Sequence, residues 1–262
     1  MRGWTNAAGL LTIVSLLASA CGKGGEAGGG GGTGGGGTAA TTAFPVDTAN
    51  AATITGKVAF TGRKPAAARI DMSEEASCAA KHPGGAFSEQ VVVNDNGTLR
   101  NVFVYVKSGV PANLQFPVPA TPVEIDQSGC QYTPHVFGIQ VGQTLNIKNA
   151  DGLLHNIKAV PTANRGFNIS QPTNMTTQRP GFTAPEVMVP LQCNVHSWMN
   201  AYVGVRPDPY FGVSGADGTF SLRRLPPGTY TVEAWQEKYG TQTQTVTVGA
   251  KETKDITFTF RG

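Results

Sequence analysis

Histidine and cysteine are scarce in this chain, four of each in 262 residues, so any metal site must be assembled from few side chains. Charge is scarce too: Asp, Glu, Lys and Arg make up 14% of the residues, the formal net charge is +3, and no block of Lys or Arg occurs. A balance that weak has no electrostatic grip on a phosphate backbone, which excludes nucleic acid as a partner. No nucleophile triad, phosphate-binding glycine motif or pair of catalytic carboxylates stands out, and an enzyme is not expected. Long apolar runs are missing as well. The stretch from Ala7 to Ala20 is too short and too poorly flanked to span a membrane, and it reads as the apolar part of a secretory signal.

Glycine, by contrast, is abundant. After Cys21 it dominates from Gly22 to about Thr42, with an unbroken run from Gly28 to Gly32. Such a stretch has no side chains from which to build a core, so residues 21–52 are expected to be a flexible tether behind a signal peptide at 1–20. The run Leu17-Ala18-Ser19-Ala20 ahead of Cys21 resembles a bacterial lipoprotein signal. That resemblance implies lipidation of Cys21 and a lipid-anchored protein of the bacterial cell envelope, periplasmic or on the outer surface. The alternative is an ordinary cleaved signal with an incidental cysteine.

From Thr53 onward, short β-branched and aromatic runs are punctuated by Gly, Pro and Asn, which points to an all-β fold of sandwiches or barrels. Ile54, Gly56, Val58 and Phe60 alternate on one side of a strand. Further strands are expected at Val91 to Val93 and Val102 to Val106, across an Asn94-Asp95-Asn96-Gly97 turn. Four prolines between Pro111 and Pro122 mark a loop. Phe137, Ile139 and Val141 begin a compact β region that continues through Leu145, Ile147 and His155. The polar segment between Pro161 and Pro185 reads as a long loop, and Glu186 to Leu191 and Ala201 to Val205 as the strands entering and leaving a local cluster.

That cluster is Cys193-Asn194-Val195-His196-Ser197-Trp198-Met199. It places a thiolate, an imidazole and a thioether close together, the soft and borderline ligands that copper prefers. One Cys and two His with a weak axial Met make a blue-copper centre. The second histidine is expected to be His155, between two strand-like runs and followed by Asn156. His155-Asn156 with Cys193-x-x-His196-x-x-Met199 resembles the cupredoxin family, and the ligand-loop spacing is most similar to that of amicyanin and plastocyanin. The resemblance implies a Greek-key sandwich over residues 134–206 holding one type 1 copper ion. In it His155, Cys193 and His196 are the equatorial ligands, Met199 is axial, and Asn156 ties the two ligand loops together. It also implies a redox partner protein that docks where the last histidine reaches an apolar surface, with Trp198 and Phe167 as candidate contacts. With four histidines in the chain and one cysteine in the cluster, neither a multicopper oxidase nor a two-copper centre fits. Zinc accepts the same ligands without redox activity. Copper storage or delivery, and a non-redox carbohydrate- or protein-binding module, stand as alternatives to electron transport.

Cys78 and Cys130 then remain as a disulfide pair suited to an oxidising compartment. The alternatives are two buried free cysteines, or Cys130 acting as a metal ligand near His135. Asp217-Gly218-Thr219-Phe220 and Leu225 to Val232 resemble the carboxypeptidase regulatory-like domain, a small β-sandwich used as a module rather than a catalyst. Ile54 to Val58 resembles its opening strand. A second small sandwich is therefore expected, with residues 207–262 as one portion and 53–133 as an N-terminal β region that contributes to it or stands apart.

Overall fold

The computed structural model describes residues 47–262, which lie in one compact unit. The signal segment, Cys21 and most of the glycine-rich tether lie outside the described residues. Among the described residues no helix is long and apolar enough to cross a membrane.

Period-two alternation of apolar side chains shapes nearly every long strand, and it produces two β-sandwiches. The first holds the candidate metal ligands. One of its sheets runs Met175–Arg179, Leu145–Asn149, Val123–Ser128, Gln131–Thr133; the other runs Phe167–Gln171, His155–Ala159, Glu186–Gln192, Asn200–Arg206, Val136–Gln140. Ile125, Ile139, Leu145, Ile147, Ile157, Val189, Leu191 and Val203 meet between the sheets with no solvent exposure. Burial of each such side chain stabilises the fold by about 1.5–3 kcal/mol. The sheet pairings bring residues 123–133 into this sandwich, ahead of the start at 134 expected from the sequence.

The second sandwich is built from chain segments on both sides of the first. Ala52–Thr61 lies between Thr219–Leu225, to which it is antiparallel, and Thr253–Arg261, to which it is parallel. Facing it is the sheet Phe211–Val213, Phe103–Ser108, Gly228–Gln236, Gly240–Val248.

Residues 161–185 are not the loop that their polarity suggests. Phe167–Gln171 pairs with His155–Ala159, and Met175–Arg179 pairs with Leu145–Asn149, so the segment extends both sheets of the first sandwich at their edges. Its strands expose Asn168, Ser170, Thr176 and Gln178 to solvent, which hides the apolar period that marks inner strands.

The two sandwiches meet through aromatic rings laid on glycines. Gly138 and Gly204 are direct partners on neighbouring strands. A Cβ on Gly138 would come within 2.3 Å of the Phe211 ring, and one on Gly204 within 2.3 Å of the Phe103 ring. The bare backbone is what lets Phe103, itself fully buried, press against the first sandwich. Gly204→Ala is therefore expected to lower stability by roughly 1–3 kcal/mol. Gly84→Ala, where an added Cβ meets nothing within 4 Å, should change it by less than about 0.5 kcal/mol. Urea denaturation of the two variants checks the contrast.

Candidate metal centre

Cys193–Met199 links the antiparallel strands Glu186–Gln192 and Asn200–Arg206, whose last pair is Gln192 with Asn200. Two backbone bonds close the loop, Cys193 N–H to Met199 O at 3.2 Å and Met199 N–H to His196 O at 3.0 Å. The neighbouring strand begins at His155, so its side chain enters the same end of the sandwich. Relative exposures are 0% for His155, 5% for Cys193, 4% for His196 and 1% for Met199.

One donor atom from each of His155, Cys193 and His196 falls within 4.8 Å of the others. The two Nδ1 atoms are 2.9 Å apart. A shared proton or a cation is what holds two ring nitrogens so close, and the sulfur beside them completes a donor set suited to copper or zinc.

Asp151 orients the first histidine. Its Oδ2 lies 2.9 Å from His155 Nε2. A carboxylate only accepts, so the ring proton sits on Nε2 and Nδ1 is left to face the pocket. The same carboxylate accepts the Cys130 N–H at 2.7 Å and the Gly129 N–H at 3.0 Å, and it pairs with Lys81 Nζ at 2.9 Å. Burial works to raise its pKa, but these donors outweigh burial and hold it down at about 2. In the sequence, Asn149-Ala150-Asp151-Gly152 reads as a turn, and this role of Asp151 goes unseen. The available signal is a carboxylate four residues before a candidate ligand histidine.

Asn156 joins the two ligand-bearing segments. Its Oδ1 accepts the Asn194 N–H at 2.6 Å and lies 3.4 Å from Cys193 Sγ, while its Nδ2 donates to Asn168 Oδ1 at 2.6 Å. The buried Tyr132 hydroxyl donates to Asn156 O at 2.5 Å. Burial pushes the Cys193 thiol up, but the neighbouring His155 ring and nearby backbone N–H groups outweigh it and shift the sulfur toward thiolate. For His155, burial acts downward and is overcome by Cys193 and Asp151, so its pKa rises. The pKa of His196 is lowered, first by burial and then by the His155 charge.

Two expectations change, and a third, the Cys78–Cys130 disulfide, is met. The last histidine does not reach an apolar surface: it is buried, and its Nε2 lies 3.8 Å from Cys78 Sγ. The two docking candidates part company. Trp198, half-buried, sits beside His196 with ring centroids 5.1 Å apart and donates its Nε1–H to Cys130 O at 2.9 Å. Phe167 pairs with Ala159 at the far end of the His155 strand, about 13 Å along it at strand rise, where the Arg179 guanidinium covers it at 3.9 Å. Finally, Cys78 and Cys130 form a disulfide, so Cys130 has no thiolate to offer a metal beside His135. His135 instead bonds Glu237 Oε2 at 2.7 Å and Asn200 O at 3.2 Å.

Asp151→Asn should destabilise the metal-free protein by about 1–3 kcal/mol at neutral pH. The Asp151 carboxylate has its folded pKa depressed, to about 2 from 3.8. Its contribution is therefore present above pH ~4 and lost as pH falls toward 2, where the two proteins should converge. Urea midpoints measured from pH 7 to pH 2 follow this directly.

Comparison with known proteins adds a domain match and some distant likenesses. Residues 200–261 match the carboxypeptidase regulatory-like domain. No curated protein matches the chain. Among solved structures, a copper-containing nitrite reductase from Thermus scotoductus SA-01 is 20% identical, with a TM-score of 0.31 over 39% of this chain and 26% of its own. The chain thus spans about a quarter of that enzyme. A methionine-to-alanine mutant of amicyanin in its Cu(I) form is 17% identical, with a TM-score of 0.30 over 39% of this chain and 98% of its own. A purple cupredoxin from Nitrosopumilus maritimus is 22% identical, with a TM-score of 0.27 over 31% of this chain and 97% of its own.

Proposed function

We propose that the first sandwich is a cupredoxin-like unit with a type 1 copper centre, and that the protein carries single electrons between redox partners without turning over a substrate. The observation that carries this reading is the convergence of His155 Nδ1, His196 Nδ1 and Cys193 Sγ in one buried pocket. His155, Cys193 and His196 would hold the ion, with Met199, buried in the same loop, as the weak fourth ligand. Copper bound there supplies one-electron chemistry, since thiolate and imidazole together suit both of its oxidation states.

The rest is work for the chain itself. Asp151 fixes the His155 ring and Asn156 fixes the Cys193 loop, so the ligands have little freedom to rearrange when charge arrives. Trp198, half-buried beside His196, offers partners a side chain in contact with the site. The disulfide accords with export to an oxidising compartment, as do the expected signal and the lipid anchor at Cys21.

A second reading, copper storage or delivery, is favoured by one specific observation: His196 is covered rather than presented at the surface. Reconstitution with Cu(II) separates the two. Electron transport predicts an intense visible thiolate-to-copper absorption, the matching paramagnetic resonance signal and reversible one-electron reduction, with the absorption abolished in Cys193→Ala. Stoichiometric copper in a colourless site that cannot be cycled supports storage. Failure to bind copper at all leaves a binding module.

A further inference from the structure

The segment 69–87 has little of its own to hold it together. Its secondary structure is the pair of two-residue strands Arg69–Ile70 and Ala86–Phe87 and the helix Ala76–Ala79, whose N-terminus has no side-chain cap. Met72, Cys78 and Ala86 are its only buried apolar residues, and a cavity of about 560 Å³ opens among Arg69, Asp71, Met72 and His82. Local opening costs least where buried contacts are few.

Its attachments all land beside the metal pocket. Cys78 is bonded to Cys130. Lys81 reaches Asp151, the carboxylate that orients His155. The His82 Nε2 lies 2.6 Å from Gly129 O, and Gln131 Nε2 donates back to Phe87 O at 3.3 Å. Between these anchors, Cys78 Sγ covers the Nε2 edge of His196. In position, the segment is a cover; in composition, it is an appendage held by a covalent bond, an ion pair, two hydrogen bonds and the packing of Met72, Cys78 and Ala86 on the first sandwich's core.

We propose that residues 69–87 are a lid latched by the Cys78–Cys130 disulfide, and that metal enters and leaves only when the latch is open. This rests on reading the pocket as a metal centre. In closing, the Cys78 and Cys130 thiols give up two protons and two electrons to a disulfide-bearing oxidant, which leaves as a dithiol while the new S–S bond forms. A dithiol reductant reverses the step and frees both sulfurs. Metal insertion therefore precedes oxidation of this cysteine pair, and a thiol–disulfide oxidoreductase is the class of partner that sets the latch.

The test uses the full metal-free chain, so it does not depend on which metal the pocket prefers. The rate at which iodoacetamide alkylates Cys193 is compared between the disulfide-bonded protein, the double variant Cys78→Ser/Cys130→Ser, and Lys81→Ala, which keeps the bond and loses the ion pair. Hydrogen exchange is followed in parallel. A latched lid predicts alkylation at least tenfold faster in the double variant and a smaller acceleration in Lys81→Ala. It also predicts a matching acceleration of Co(II) uptake, read by thiolate-to-cobalt absorption, with faster hydrogen exchange confined to 69–87 and the loops it touches. Equal alkylation rates with the segment's exchange increased would overturn the proposal, because an open lid would then not gate the pocket. Exchange rising throughout both sandwiches would overturn it too, by making the bond a general staple. If alkylation responds as described but cobalt never binds, the lid stands and the metal reading fails.

Discussion

A carboxylate with 1% relative exposure survives only where donors replace the water it has lost, and Asp151 has four of them: two backbone N–H groups, a lysine ammonium and an imidazole N–H. These four donors come from three different parts of the structure. The N–H groups belong to Gly129 and Cys130, at the turn that carries one half of the disulfide. Lys81 belongs to the segment lying over the pocket, and the imidazole is a candidate ligand. Satisfying one buried charge thus fixes the ring of His155, the turn and the covering segment relative to one another. Removing the carboxylate would loosen all three together, whereas removing any one donor leaves the charge with three.

The second sandwich supplies support of a different kind. It takes its strands from both ends of the described chain and presses Phe103 and Phe211 onto Gly138 and Gly204, on the strand that leaves the ligand loop and its neighbour. The Arg206 guanidinium at the end of that same strand lies over the Tyr105 ring at 4.5 Å and donates to Val106 O. A ligand loop whose outgoing strand is packed against a second domain has less room to shift, which suits a centre whose ligands should stay put when its charge changes.

How much of this is legible in the sequence depends on distance along the chain and on how ambiguous each residue type is. Ile54, Gly56 and Val58 declare an inner strand by alternation alone. Cys193, His196 and Met199 stand out because three metal-binding residue types in one short loop are rare. The edge strands Phe167–Gln171 and Met175–Arg179 escape because their outer faces are polar and Gln171, Thr177 and Arg179 interrupt the inner ones, and polarity without a sustained period looks like a loop. Asp151 is hidden for another reason: Asp before Gly is ordinary turn grammar, and the same residue type serves for orienting a histidine. The approach of Cys78 to His196 spans 118 residues of sequence. No local pattern encodes it, so the expectation of a surface-exposed last histidine rests on family resemblance and fails where residues 69–87 lie over the pocket.

If His155, Cys193 and His196 act together on one copper ion, that ion changes oxidation state without rebuilding its surroundings. X-ray absorption at the copper edge addresses this in a single sample, measured oxidised and then reduced. The expected result is one thiolate sulfur and two imidazole nitrogens around copper in both states, with little change between them. A shell of oxygen and nitrogen without sulfur, or one that loses or gains a ligand on reduction, would contradict it.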